Sequence, residues 1–374
     1  MKSTTYRFSF TLLTGLALAC TTPKTDDPAP DQSSSGGKRR PSVTITTVVG
    51  GDTKAGHLDG KGTAARFSYP SQMTMDKNEN LYVIDQRYSY TGGSVIRRID
   101  PAGNVTTFTK GLYSITDICV DPRDGVTLYA IESGDALGIP SGIFRISADG
   151  KATRLNGGSG LNGYEDGPLA TAKFYSPRGI AMDKTGNLYI ADALNYCVRK
   201  VNLSTSTVTT LAGKAPVNTA LCNYGDGQGK QAEFCTFEDL TLDEAGNVYV
   251  PDWGNRRVRK ITPDGTVSTY INFGSGYGKD CPRSQATVFQ PYRTHYDTAS
   301  KQLFIVDDTG ESLDVVTPDD YVYSLSHNTV STDYAENRPG FSHGIFGVAV
   351  NQKGDVFILD KFNHCIRKAT IRWN

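Results

Sequence analysis

Ser176-Pro177-Arg178-Gly179-Ile180-Ala181-Met182-Asp183-Lys184-Thr185-Gly186-Asn187-Leu188-Tyr189-Ile190-Ala191-Asp192, continued by Asn195-Tyr196-Cys197-Val198-Arg199-Lys200, is the segment from which the fold is read. A short apolar run from Gly179 to Met182 stops at Lys184-Thr185-Gly186-Asn187, where Gly and Asn tolerate the positive φ of a hairpin turn. Tyr189-Ile190-Ala191-Asp192 reads as a second strand, Val198 to Val201 as a third and Thr207 to Leu211 as a fourth. The aromatic-apolar-x-acidic cassette of the second strand returns as Tyr82-Val83-Ile84-Asp85, Tyr129-Ala130-Ile131-Glu132, Tyr249-Val250-Pro251-Asp252, Phe304-Ile305-Val306-Asp307 and Phe357-Ile358-Leu359-Asp360. Six copies of one four-stranded meander make a repeat array, although 374 residues would also hold two unlike domains.

The third unit resembles the NHL repeat: a Pro-x-Gly-Ile start, an Asp-x-x-Gly-Asn turn, a Tyr-Ile-x-Asp strand and an Asn-x-x-Ile-Arg-Lys strand. The fourth and sixth units, with Asp252-Trp253-Gly254-Asn255 and Asp360-Lys361-Phe362-Asn363, follow it well; the first is expanded, and the second and fifth lack the Asn and the Arg-Lys pair. The resemblance implies an all-β, six-bladed β-propeller of four-stranded antiparallel blades over residues 43–374. The sixth unit reaches Asn374 without a fourth strand of its own. Thr44-Ile45-Thr46-Thr47-Val48-Val49-Gly50-Gly51 looks like the fourth strand Thr207-Val208-Thr209-Thr210-Leu211-Ala212-Gly213, so the N-terminal strand is expected to complete the last blade and close the ring.

Ahead of the repeats, Lys2 and Arg7 precede an apolar stretch from Phe8 to Leu18 and the loose lipoprotein box Leu16-Ala17-Leu18-Ala19-Cys20. Residues 1–19 are expected to be a signal peptide, with lipidation at Cys20; a plain secretory peptide is the alternative. Residues 20–42, rich in Pro, Ser, Gly and Asp, read as a flexible stalk. This predicts export and a lipid anchor in a bacterial cell envelope, at the outer membrane. The chain balances 39 basic against 39 acidic residues, so no bulk positive field invites nucleic acid. A monomer is expected.

Turns joining strands one to two and three to four are uniformly tight, whereas the crossovers at the other end carry the length variation and surplus aromatics, which marks the expected binding face. The entries of the first strands should ring the channel there. By alignment to Arg178-Gly179 they are Ser71-Gln72, Thr116-Asp117, Glu238-Asp239, Tyr292-Arg293 and Phe346-Gly347. Asp117, Arg178, Glu238, Asp239, Tyr292 and Arg293 are expected to converge, with Tyr88, Tyr196 or Trp253 as stacking faces for a sugar or peptide. A salt-bridged, water-filled channel is the plainer alternative.

The five His residues are scattered and no metal or other cofactor is expected; the resemblance includes a lyase whose metal-binding His set does not map here. Asp59-Gly60, Asp166-Gly167 and Asp226-Gly227, each followed by a Phe, are expected to cap turns and wedge blade joints rather than bind calcium. Arg199-Lys200, Arg259-Lys260 and Arg367-Lys368 are taken as scaffold. Cys222 and Cys235 are candidates for a disulfide in an exported protein. The expected function is a binding module for a glycan or an envelope protein; a channel lyase or hydrolase, or a docking scaffold, are the rivals.

Overall fold

The structure, a computed structural model, describes residues 40–51, 55–86, 93–134, 140–156, 162–214, 223–274, 280–307, 312–325, 329–331 and 344–373. They form six antiparallel blades arranged as a propeller. Blade 3 shows the pattern, with strands Pro177–Met182, Asn187–Asp192, Cys197–Asn202 and Thr207–Gly213 in meander order. Its second strand is buried at every position because neighbouring blades cover both of its faces.

The apolar core is divided among the joints. Tyr129 and Ile131 of blade 2 pack with Ile180, Leu188 and Ile190 of blade 3, and Ala191 and Val198 on the other side of blade 3 pack with Val248 and Val250 of blade 4. The ring closes where Val49, Leu359 and Ile366 of blade 6 meet Phe67, Met73 and Val83 of blade 1. Each blade therefore depends on both neighbours for its core.

Blade 6 is completed as the sequence implies. Ser42–Gly50 runs antiparallel to Cys365–Arg372, from Ser42 opposite Arg372 to Gly50 opposite Cys365. Outside it lies the short parallel strand Thr329–Ser331. Four of the other blades carry a similar two-residue strand at the outer edge: Gly60–Lys61, Gly167–Pro168, Gly227–Gln228 and Cys281–Pro282. These partly cover edges that a bare four-stranded blade would leave open.

Both ends of the cassette have a polar task. In blade 3 the Tyr189 hydroxyl donates to Asp183 of the preceding turn at 3.1 Å, while the Asp183 carboxylate accepts the Thr185 and Asn187 backbone N–H groups. Tyr82 with Asp76 and Tyr249 with Asp243 repeat this. At the other end Asp192 accepts from the Arg199 guanidinium at 2.8 Å, with both side chains wholly buried. Asp85–Arg97 and Asp252–Arg259 are equally buried, and Asp360–Arg367 nearly so.

The Asp-Gly loops differ from the expectation that their Asp caps the local turn. Asp59, Asp166 and Asp226 reach across to Arg97, Arg199 and Arg259 and to Thr107, Thr210 and Thr269 of the fourth strands. A buried guanidinium needs more acceptors than one carboxylate supplies, and these loops provide them. The following Phe67, Phe174 and Phe234 do wedge the joints, and their rings lie against the same guanidinium groups.

Blade 5 breaks the pattern. Asp314 lies opposite Ile305, in the register that Arg199 occupies opposite Ile190, and burial, reinforced by Asp307 and Asp280, pushes its carboxyl up to about 6. A carboxyl whose folded pKa lies above its unfolded value favours folding while protonated, so this contribution is full below about 4 and is lost as pH rises through about 6. Asp314→Asn is therefore expected to raise the melting temperature at pH 7.5 and to leave it nearly unchanged at pH 3.5, checked by calorimetry at both values. Removing residues 40–50 should lower the stability of the whole ring, seen as one shifted unfolding transition rather than loss of a local feature.

Candidate functional site

The crossover end of the channel is shaped by a repeated irregularity. In blades 1, 2, 3, 5 and 6 the pairing between the first two strands slips by one residue, leaving Ser71, Thr116, Arg178, Tyr292 and Phe346 outside the ladder. A bulge at a strand entry bends the chain and re-aims the extra side chain. These five residues, with Glu238 from blade 4, line one cavity of about 400 Å³ at the channel mouth. Arg178 and Glu238 face each other at 3.6 Å, both partly in solvent.

Beneath the mouth lies a layer formed by the next residue of each blade: Gln72, Asp117, Gly179, Asp239, Arg293 and Gly347. Asp117 accepts the N–H of Ile118 and, across the joint, that of Ile180 at 2.7 Å. Asp239 likewise accepts the Thr294 N–H at 2.8 Å and stands 3.8 Å from Arg293, whose guanidinium donates to the Glu238 carbonyl. Blade-to-blade bonds of this kind lock neighbouring first strands together. Burial, and then the charge of Asp239, raises the Asp117 carboxyl well above its ordinary value. Asp239 is raised to about 6 by burial, with Arg293 pulling the other way. Two glycines make the layer possible: a Cβ on Gly179 would meet the Asp239 backbone at 2.7 Å, and one on Gly347 would meet the Gln72 side-chain oxygen at 2.8 Å.

Below the layer a second cavity of about 330 Å³ opens toward the tight turns, lined by Met73, Met75, Cys119, His295 and Tyr296 among others. His295 borders this cavity but is otherwise enclosed, and burial lowers its imidazole to about 4, so it is neutral at pH 7. No group of three or more metal-ligating side chains occurs among the described residues.

The structure thus brings Arg178, Glu238, Tyr292 and Arg293 to the mouth and puts Asp117 and Asp239 in the layer below, bordering the lower cavity. Tyr196 and Trp253 do not line either cavity. Tyr196 ends a short 3-10 turn at φ 49°, and Trp253 begins the matching turn in blade 4, beside Gly254, which packs against Cys235. Tyr88 and Cys20 lie outside the described residues. Cys235 is disulfide-bonded, while its candidate partner Cys222 also lies outside them.

Three mouth residues escaped the sequence reading: Tyr69, Gln86 and Lys361. Gln86 and Lys361 each directly follow a cassette acid, at the position of Trp253 in blade 4. That shared position is the signal the sequence carries, and in blade 4 it holds Trp253, which does not line the cavity.

A six-bladed β-propeller with a polar, aromatic-walled mouth is the class that fold and geometry define. Within it, residues 174–201 match the model of the NHL repeat, which is the core of blade 3. Human Teneurin-4 is 25% identical over 291 residues, covering 68% of this chain and 10% of its own length. The Arabidopsis thaliana protein SUPPRESSOR OF QUENCHING 1, chloroplastic, is 27% identical over 288 residues, covering 71% of this chain and 26% of its own. The chain therefore spans from a tenth to about a quarter of the length of these curated relatives. Among solved structures, an auxiliary nutrient binding protein from Bacteroides thetaiotaomicron aligns with a TM-score of 0.65 at 16% identity, over 89% of this chain and 77% of the other. A gluconolactonase from Xanthomonas campestris aligns with a TM-score of 0.54 at 13% identity, over 89% and 99%. At these identities the likeness is one of fold.

Because Gly179 leaves no room for a side chain, Gly179→Ala is expected to cost about 1–3 kcal/mol through displaced backbone. The control Gly225→Ala, whose Cβ would find nothing nearer than 3.7 Å, should stay within about 0.5 kcal/mol of the parent. Denaturant unfolding of both variants checks the difference.

Proposed function

We propose that this protein is an exported, lipid-anchored binding module of a bacterial cell envelope, which takes a glycan or a protein partner into the mouth of its propeller. One observation carries the reading: side chains from all six blades, charged, hydroxyl and aromatic, converge on a single cavity of about 400 Å³, a size within the usual range for small-ligand sites. The lipoprotein-like N-terminus supports the location, and the fold shared with auxiliary nutrient binding proteins agrees with a capture role.

Catalysis in the channel is the second reading, favoured by the raised carboxyl of Asp117. Against it, both oxygens of Asp117 are occupied by backbone N–H groups, and Asp239 is held by Thr294 and Arg293. A general acid or base needs reach to a substrate proton, and these two are committed to holding blades together.

The test uses the full chain on a glycan array and as bait for envelope proteins. A ligand should be captured by the parent and lost on combined Arg178→Ala and Tyr292→Ala substitution, with the melting temperature unchanged and the ligand recovered chemically intact. Capture indifferent to both substitutions, or recovery of a cleaved product, would overturn the reading.

A further inference from the structure

Two of the three cations at the mouth stand within salt-bridge distance of a carboxylate. Buried Arg293 has Asp239 at 3.8 Å, and Arg178 has Glu238 at 3.6 Å. Lys361 lines the same cavity and makes no salt bridge to a carboxylate among the described residues; its ammonium stands 4.1 Å from the centroid of the Phe346 ring. Its backbone is fixed, since its N–H donates to the Gly344 carbonyl at 2.9 Å and Asp360 before it is held by Arg367. Burial, and then the charge of Arg293, lowers the lysine pKa. An ammonium held half-buried beside a second cation gains from an arriving anion.

The rest of the wall is neutral and suited to hydroxyl groups. Gln86 donates its amide N–H groups to Ser71 Oγ at 3.2 Å and to the Ile115 carbonyl at 3.3 Å, leaving its own oxygen as an acceptor. The Ser71 hydroxyl, which receives one of these bonds, keeps its proton to donate. Tyr292 and Phe346 stand edge to face at 5.6 Å and give the cavity an apolar side. One unmatched positive charge, scattered hydroxyl partners and an aromatic wall describe a ligand with one carboxylate on a polyhydroxylated ring. A peptide carboxyl terminus would meet the charge too, and preference for the peptide is one outcome of the experiment below.

We propose that the mouth binds an acidic saccharide, a uronic acid unit whose carboxylate pairs with Lys361 while its hydroxyls meet Gln86 and Ser71. This rests on the reading of the mouth as a binding site and names the class of its ligand.

The experiment is calorimetric titration of the full chain with tetragalacturonate, its methyl ester, the neutral galactose tetramer and a short acidic peptide. Tetragalacturonate should bind, more weakly as salt rises. Esterification and Lys361→Met should each weaken it about tenfold or more, whereas Lys361→Arg should retain most of the affinity. The Lys361 ammonium, followed by NMR, should titrate at higher pH in the complex. Equal binding of the ester or the neutral tetramer, or preference for the peptide, would overturn the acidic-sugar inference while leaving the mouth a binding site. Binding of none of the four would also overturn it, and the array and bait experiment then decides separately whether the mouth binds anything.

Discussion

The rest of the molecule depends on the acid that ends the second strand, which in four of the six blades is paired with a buried arginine of the third strand. Asp192 holds Arg199 with one oxygen while its other oxygen accepts the Tyr175 N–H from the incoming crossover, and Asn195 adds a third bond. Asp252 does the same with Arg259, the Cys235 N–H and Asn255. Replacing a buried ion pair with well-packed apolar groups is often neutral or stabilising, so net stability does not explain the device. What it supplies is position. Each of these two carboxylates ties its third strand to the crossover that delivers the next residues to the channel mouth, and the link is made by groups wholly out of water.

Blades 2 and 5 show how far this can be varied. In blade 2 the guanidinium comes from the fourth strand, where Arg154 meets Glu132 at 3.3 Å, while the other carboxylate oxygen of Glu132 still accepts the Tyr113 N–H of the crossover. The crossover bond survives although the cation has moved. In blade 5 Asp314 stands at the register position of the arginine, and Asp307 still receives the Gln290 N–H at 2.8 Å. Among the described residues the acid bonds to the incoming crossover in five blades, and the arginine is one of several ways to surround it.

This explains what the sequence made legible. The period of the cassette, the tight turns and the strand missing from the sixth unit are local patterns repeated often enough to be read without coordinates, and they were sufficient for blade number and ring closure. Arg178, Glu238, Tyr292 and Arg293 were placed at the mouth because alignment to one clear unit carries register from blade to blade. Two things were not legible. The slip that separates the outward Arg178 from the inward Gly179 is a matter of hydrogen-bond pairing, so Asp117 and Asp239 read as site residues when they are bonded into the layer beneath. Lys361 stood beside the larger Phe362, and only the path of the chain shows which of the two enters the cavity.

The pairing of Ser42–Gly50 with Cys365–Arg372 also has a kinetic side. Ser42–Gly50 is made before every blade and its partner strand after five of them, so the contact that closes the ring closes a loop that holds all the intervening blades. Until blade 6 exists, Val43, Ile45 and Val49, buried in the finished molecule, lack the strand they pair beside, and the open flank of blade 1 at Phe67 and Met73 lacks Leu359 and Ile366. For that interval the nascent chain is an unclosed array with an apolar surface at each end, and its vulnerability to aggregation or proteolysis is set by the time the last blade takes to arrive.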